Sequence, residues 1–124
     1  GLSQRGEWEW ELAENELDIA LLQQCEAWPA NVDTKNLVTL FETNFTRYIF
    51  EVNWENSLIE LVLDWGKILS NDQSEKIHEV ELELKQGNQD DLKAFADRLI
   101  NALPLCVSDI SKAQRGIKLF QASK

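Results

Sequence analysis

Residues 77–87, IHEVELELKQG, alternate strictly: Glu79, Glu81 and Glu83 take every second place, with Val80, Leu82 and Leu84 after each of them. Alternation with period two marks a β-strand with two unlike faces, because successive side chains of an extended chain point to opposite sides. Neighbours on one face lie about 6 to 7 Å apart at a rise of about 3.3 Å per residue. Three carboxylates at that spacing repel one another, so the question is what counter-charge, if the face does not simply meet water, offsets the repulsion.

Whole-chain quantities narrow what that counter-charge serves. The 124 residues suit one small domain with a real core. No apolar run approaches the roughly 20 residues that a membrane-crossing helix needs. With 22 Asp and Glu against 12 Lys and Arg, the formal charge is −10, which argues against a nucleic-acid or anionic-membrane binder that works by net charge. Cys25 and Cys106 lie far apart without metal-type spacing, so free thiols in a reducing, cytoplasmic setting are expected rather than a disulfide framework. No basic and then apolar stretch marks a secretory leader. The chain has no Met and opens on Gly1, and is read as a fragment.

The remaining segments sort by pattern. In GEWEWEL, residues 6–12, Trp8, Trp10 and Leu12 alternate with Glu7, Glu9 and Glu11, which predicts a strand. Residues 16–24 have a short helical pattern, broken at Pro29. The β-branched and aromatic stretch that follows predicts a strand from about Phe45 to Val52. NWENS reads as a turn, residues 58–70 as strand, and DWG at 64–66 as a tight turn into a short return strand. NDQSE reads as a polar loop before the acidic strand, which Gly87 and Asn88 end. Apolar residues at 92, 95, 96, 99, 100 and 103 predict an amphipathic helix, with Asp90 and Asp91 in its favourable first turn and Pro104 as its stop.

Strands joined by tight turns with one strong late helix predict an antiparallel α+β domain. In the bland reading, each Glu-x-Glu face simply meets water. Arg47, Glu60, Asp64 and Lys112 fall where they can join the carboxylates on one concave surface, however. Acids interleaved with isolated bases suit divalent cations plus a polyphosphate: oxygen ligands hold Mg²⁺ or Mn²⁺, and Arg or Lys neutralise phosphate oxygens.

Five blocks in order, QRGE, FETNFTRY, IELVLDWGKI, EVELELKQG and SKAQRGIKL, resemble the later half of CYTH domains, the triphosphate tunnel metalloenzymes, closest to the inorganic triphosphatase type. SKAxRG is the most distinctive piece. The resemblance implies a tunnel of antiparallel strands that hydrolyses a triphosphate with Mg²⁺ or Mn²⁺, and residues 1–124 as one partial domain. Carried over by position, Arg5, Arg47, Lys112 and Arg115 match substrate-binding bases. Glu81, Glu83 and Asp64 match metal ligands, and Glu7, Glu60 and Glu79 match further tunnel acids.

Each assignment has a structural counterpart. Arg47 can stack on aromatic neighbours or pair with an acid. Glu60 can be an edge-strand solubilising charge, and Asp64 can shape a turn. Lys112 after Ser111 can be a plain helix start with Ser as cap. His78 is placed at the surface or core edge rather than as a catalytic base, and the tryptophans serve packing.

The E-x-E-x-K strand and the Arg-x-Arg strand of a complete domain have no match here. The resemblance therefore implies only the C-terminal half, with catalytic residues unassigned, the fragment inactive by itself, and two truncated barrels associating through exposed edges. Related activities, a thiamine-triphosphatase or an adenylate-cyclase-like enzyme, stay open. So does an acidic module that binds a polyphosphate or a basic protein without cleaving anything.

Overall fold

The computed structural model describes residues 7–123. The chain divides into two units, Gly1–Val38 and Thr39–Lys124. In the first, the helix α1 spans Ile19–Gln23, started by Asp18, whose carboxylate accepts from the amides of Ala20 and Leu21 at 3.0 and 3.3 Å. Asp33 starts a 3₁₀ turn, Thr34–Asn36, in the same way.

No strand forms over residues 7–12, contrary to the prediction, and Trp8 and Trp10 are exposed. Period-two alternation makes a strand only where a neighbour completes the ladder of backbone hydrogen bonds. Among the described residues none pairs with this stretch.

The second unit holds a three-stranded antiparallel sheet in the order β1–β2–β3, with β1 at Glu42–Trp54, β2 at Ser57–Ser70 and β3 at Gln73–Gln86. Helix α2, Gln89–Ala102, starts at the Asn88 cap as the Asp90, Asp91 and apolar spacing predicted. Helix α3, Lys112–Ala122, opens with a capping box in which Ser111 and Gln114 satisfy each other's backbone amides at 3.1 and 2.8 Å. The α+β class expected from the sequence is the one observed. The sheet does not close on itself, and no tunnel is formed by these strands.

DWG is not a turn. Trp65 and Gly66 pair with Thr46 and Phe45 on one side and with His78 and Ile77 on the other, in the middle of β2. Glycine serves close approach here, since a Cβ at position 66 would run into the Asn44 carbonyl and the Phe45 backbone. The actual turns are the two-residue loops Glu55-Asn56 and Asn71-Asp72, whose first residues take φ of 54° and 53°. Positive φ at that place matches a hairpin loop to the right-handed twist of its strands. Most of the predicted NDQSE loop is therefore strand.

Register decides the faces. Ile59, buried completely, lies on the side of Val52 and Leu84, where α2 packs with its Phe95 ring 5.3 Å from Trp54. Val80, Leu82 and Leu84, on the face opposite the glutamates, are half-buried. Ile68 and Ile77, also at 0% exposure, share the side of Glu79, where α3 crosses and seats Gly116 against the Phe41 ring. Ser57 joins the layers: its hydroxyl donates to Asp91 at 2.6 Å and accepts from the Asn88 amide at 3.1 Å. Asn71 donates to Ser123 at 2.8 Å, holding the end of α3 to the β2–β3 loop. Among the described residues no helix is long and apolar enough to cross a membrane, and Cys25 and Cys106 are free.

Candidate metal and phosphate site

Antiparallel pairing places Arg47, Asp64 and Glu79 abreast across the three strands, with Glu81 two residues further along β3 on the same face. Asp64, on the central strand, is completely buried. A buried carboxylate needs full hydrogen bonding to stay ionised. It receives two parallel bonds from Arg47, Nε to Oδ1 and the terminal nitrogen to Oδ2, each 2.8 Å. Lys112, at the first position of α3, reaches the same residue with its Nζ 2.7 Å from Oδ2.

That ammonium also lies 2.6 Å from Glu79 Oε2 and 3.1 Å from Glu81 Oε1. One turn on, Arg115 donates to Glu79 Oε1 at 2.6 Å and to the Lys76 carbonyl, and stands 3.2 Å from Glu75. The Phe45 ring floors the cluster, 5.5 Å from the Arg47 guanidinium and 5.0 Å from the Lys112 ammonium. The repulsion of Glu79 and Glu81 is thus answered by two bases of α3, and Glu83 is met by Lys85.

The ionisations follow from this geometry. Hydrogen bonds from Arg47 hold the Asp64 carboxyl below the usual range, against the opposing effect of burial and with further help from Lys112. Its partnership with Asp64 raises Arg47 in turn. Burial by itself would lower Lys112, but the bonds to Asp64, Glu79 and Glu81 prevail and push it up to about 12. Arg47 and Lys112 are both cationic near neutrality.

Asp64, Glu79 and Glu81 each offer an oxygen, and these atoms lie within 4.8 Å of one another. An all-carboxylate donor set suits hard cations such as Mg²⁺ or Mn²⁺. A cation, the Lys112 ammonium, already stands at its centre, so the residues present fit a metal.

The remaining candidates are placed differently. Glu83 and Glu60 stand further along the same face, opposite Glu51, and share Lys85 at 3.4 and 3.6 Å. Glu7 is exposed in the first unit, and Arg5 lies outside the described residues. His78 is exposed and stacks flat on Trp65, ring centroids 3.4 Å apart. Ser111 does cap α3, and Lys112 both begins that helix and reaches the three carboxylates. Glu75 and Phe45 were missed. Running the alternation back from Glu79 finds Glu75, and counting by two from Arg47 finds Phe45.

Opposed acids and bases on one face of an antiparallel sheet, two of the bases delivered by a helix, mark this α+β domain. The chain belongs to the CYTH domain family, which matches residues 1–117. The expected restriction to a C-terminal half is not borne out by this match. An inorganic triphosphatase of Haemophilus influenzae is 37% identical over 86 residues, 69% of this chain and 24% of that protein. The aligned stretch thus spans about a quarter of that curated relative.

Proposed function

We propose that this chain contributes a metal and phosphate site to the hydrolysis of a triphosphate, inorganic triphosphate being favoured by the named relative. The observation that carries the reading is the convergence of Asp64, Glu79 and Glu81 with Arg47, Lys112 and Arg115 on one sheet face. Asp64, Glu79 and Glu81 would hold Mg²⁺ or Mn²⁺. Such an ion, when bound, polarises phosphoryl oxygens and lowers the pKa of a bound water. Arg47 and Arg115 orient anionic oxygens through planar forks of donors, and Lys112 adds a mobile point charge. Asp64 keeps the Arg47 fork in place, which spares the site reorganisation when phosphate charge develops. Further strands pairing with the outer edges of β1 and β3, unpaired among the described residues, would enclose this face in a tunnel.

Phosphate release from tripolyphosphate with added Mg²⁺ or Mn²⁺, together with calorimetric titration of both ligands, tests this. Binding of metal and tripolyphosphate, each weakened by Glu81→Gln or Arg115→Ala, supports the site. Binding without phosphate release supports a polyphosphate-binding module instead. Failure to bind either ligand refutes the proposal.

A further inference from the structure

Within the group of Asp64, Glu79 and Glu81, the place a metal ion would take belongs to a side chain. Lys112 Nζ touches an oxygen of all three, at 2.7, 2.6 and 3.1 Å. A Mg²⁺ ion binds oxygens at about 2.0–2.1 Å, so ion and ammonium cannot share that spot. Charge leads to the same conclusion. Counting Glu75, which Arg115 also meets, four carboxylates face three bases, so a divalent ion arriving alone turns a net charge of −1 into a surplus of +1. A polyanion arriving alone must draw bases away from carboxylates that then stand uncompensated. Binding together, the ion compensates the carboxylates while the anion takes up the released bases.

The lysine can yield without the helix moving. Its backbone is fixed by the Ser111–Gln114 capping box, while its four-carbon side chain turns freely and carries three rotatable donors.

Resting on the metal and phosphate reading above, we propose that Lys112 is a tethered counter-cation. A divalent ion enters the carboxylate group as the ammonium leaves it for a phosphate oxygen, so metal and polyphosphate bind interdependently. The three-way contact has a function beyond stability: it keeps the site from filling with metal in the absence of the anion.

The test compares wild type with Lys112→Met in Mn²⁺ binding, followed by the paramagnetic resonance signal of free Mn²⁺. Each titration is run with and without a methylene-bridged, uncleavable tripolyphosphate analogue, against a protein-free blank with the same analogue. Lys112→Met is expected to bind Mn²⁺ alone about tenfold more tightly than wild type, with the advantage lost when the analogue is present. Lys112→Gln, which keeps a hydrogen-bonding group for the carboxylates, shows the same order should the Met variant fold poorly. Lys112→Arg, retaining the charge, stays at or below the wild-type affinity. Equal or weaker Mn²⁺ binding by the neutral variants overturns the counter-cation role and leaves the metal site standing. Absence of Mn²⁺ binding in every protein and both conditions overturns the metal reading and this proposal together.

Discussion

Arg47 and Asp64 face each other across β1 and β2, and Arg47 donates two hydrogen bonds of 2.8 Å to the carboxylate, although Arg47 is 44% exposed and Asp64 is wholly buried. The acid depends on the pair far more than the base does. Arg47→Met leaves a buried carboxylate with Lys112 as its remaining close base, and should cost about 2–3 kcal/mol in urea unfolding. Arg47→Lys should recover only part of this, since an ammonium cannot supply the two parallel bonds. A loss below 0.5 kcal/mol, about the spread of an ordinary surface change, would show that the pair has no structural weight.

The same cluster sets a pH profile. Asp64 is held below its unfolded value of about 3.9, so the unfolded chain takes the proton first. Its stabilisation is complete above about pH 4 and fades as pH falls through the folded value. Lys112 lies above its unfolded value of about 10.4, at about 12. The folded chain therefore holds that proton longer, and its contribution is complete below the unfolded value and lost as pH rises through about 12. Denaturation midpoints across pH should be level between these limits and decline at both ends. The Asp64→Asn variant should show a shallower acid limb than wild type.

Gly66 and Gly116 predict an unequal pair of substitutions. A methyl at 66 meets the backbone of β1, which cannot turn aside, whereas one at 116 meets the ring of Phe41. Gly66→Ala should cost about 3 kcal/mol or more. Gly116→Ala should cost about 1 kcal/mol, because better helix propensity offsets part of the overlap. Thermal unfolding of both variants settles the order, and the reverse order would contradict the pairing of β1 with β2.

Glu55 opens the β1–β2 loop with φ at 54°, a conformation that is costly for a residue with a Cβ. Glu55→Gly should raise stability by about 0.5–1 kcal/mol, read as a higher melting temperature. A fall would mean that the side chain matters more than the backbone at this turn.

Much of this architecture was legible before any coordinate. The acidic strand, the strand containing Arg47, and the helix after Asn88 each announce themselves within about ten residues, because periodicity and capping are local signals. DWG was misread for the same reason: Asp before Gly nearby is a turn signal, and only Phe45, far upstream, shows why glycine is needed in mid-strand. Trp8 and Trp10 alternate with glutamates as a strand should, yet no described strand offers them hydrogen bonds. Lys112 lies 31 residues from Glu81, and Arg115 lies 36 from Glu79. No periodicity links groups so far apart; Lys112 was expected to join the carboxylates on a shared surface, and Arg115 entered only through the family pattern. The burial of Ile77 beside Glu79 was also hidden, since it depends on α3 crossing a face that looks polar in sequence.

The carboxylates of the cluster grade from water to interior: Glu81 is 54% exposed, Glu79 22% and Asp64 not at all. Under the proposed metal reading, an ion diffusing in from bulk would meet the outermost oxygen while still mostly hydrated, and would shed its water stepwise to go deeper. Traffic into the cluster would then have a direction, with the flank of β3 as the threshold and the central strand as the terminus.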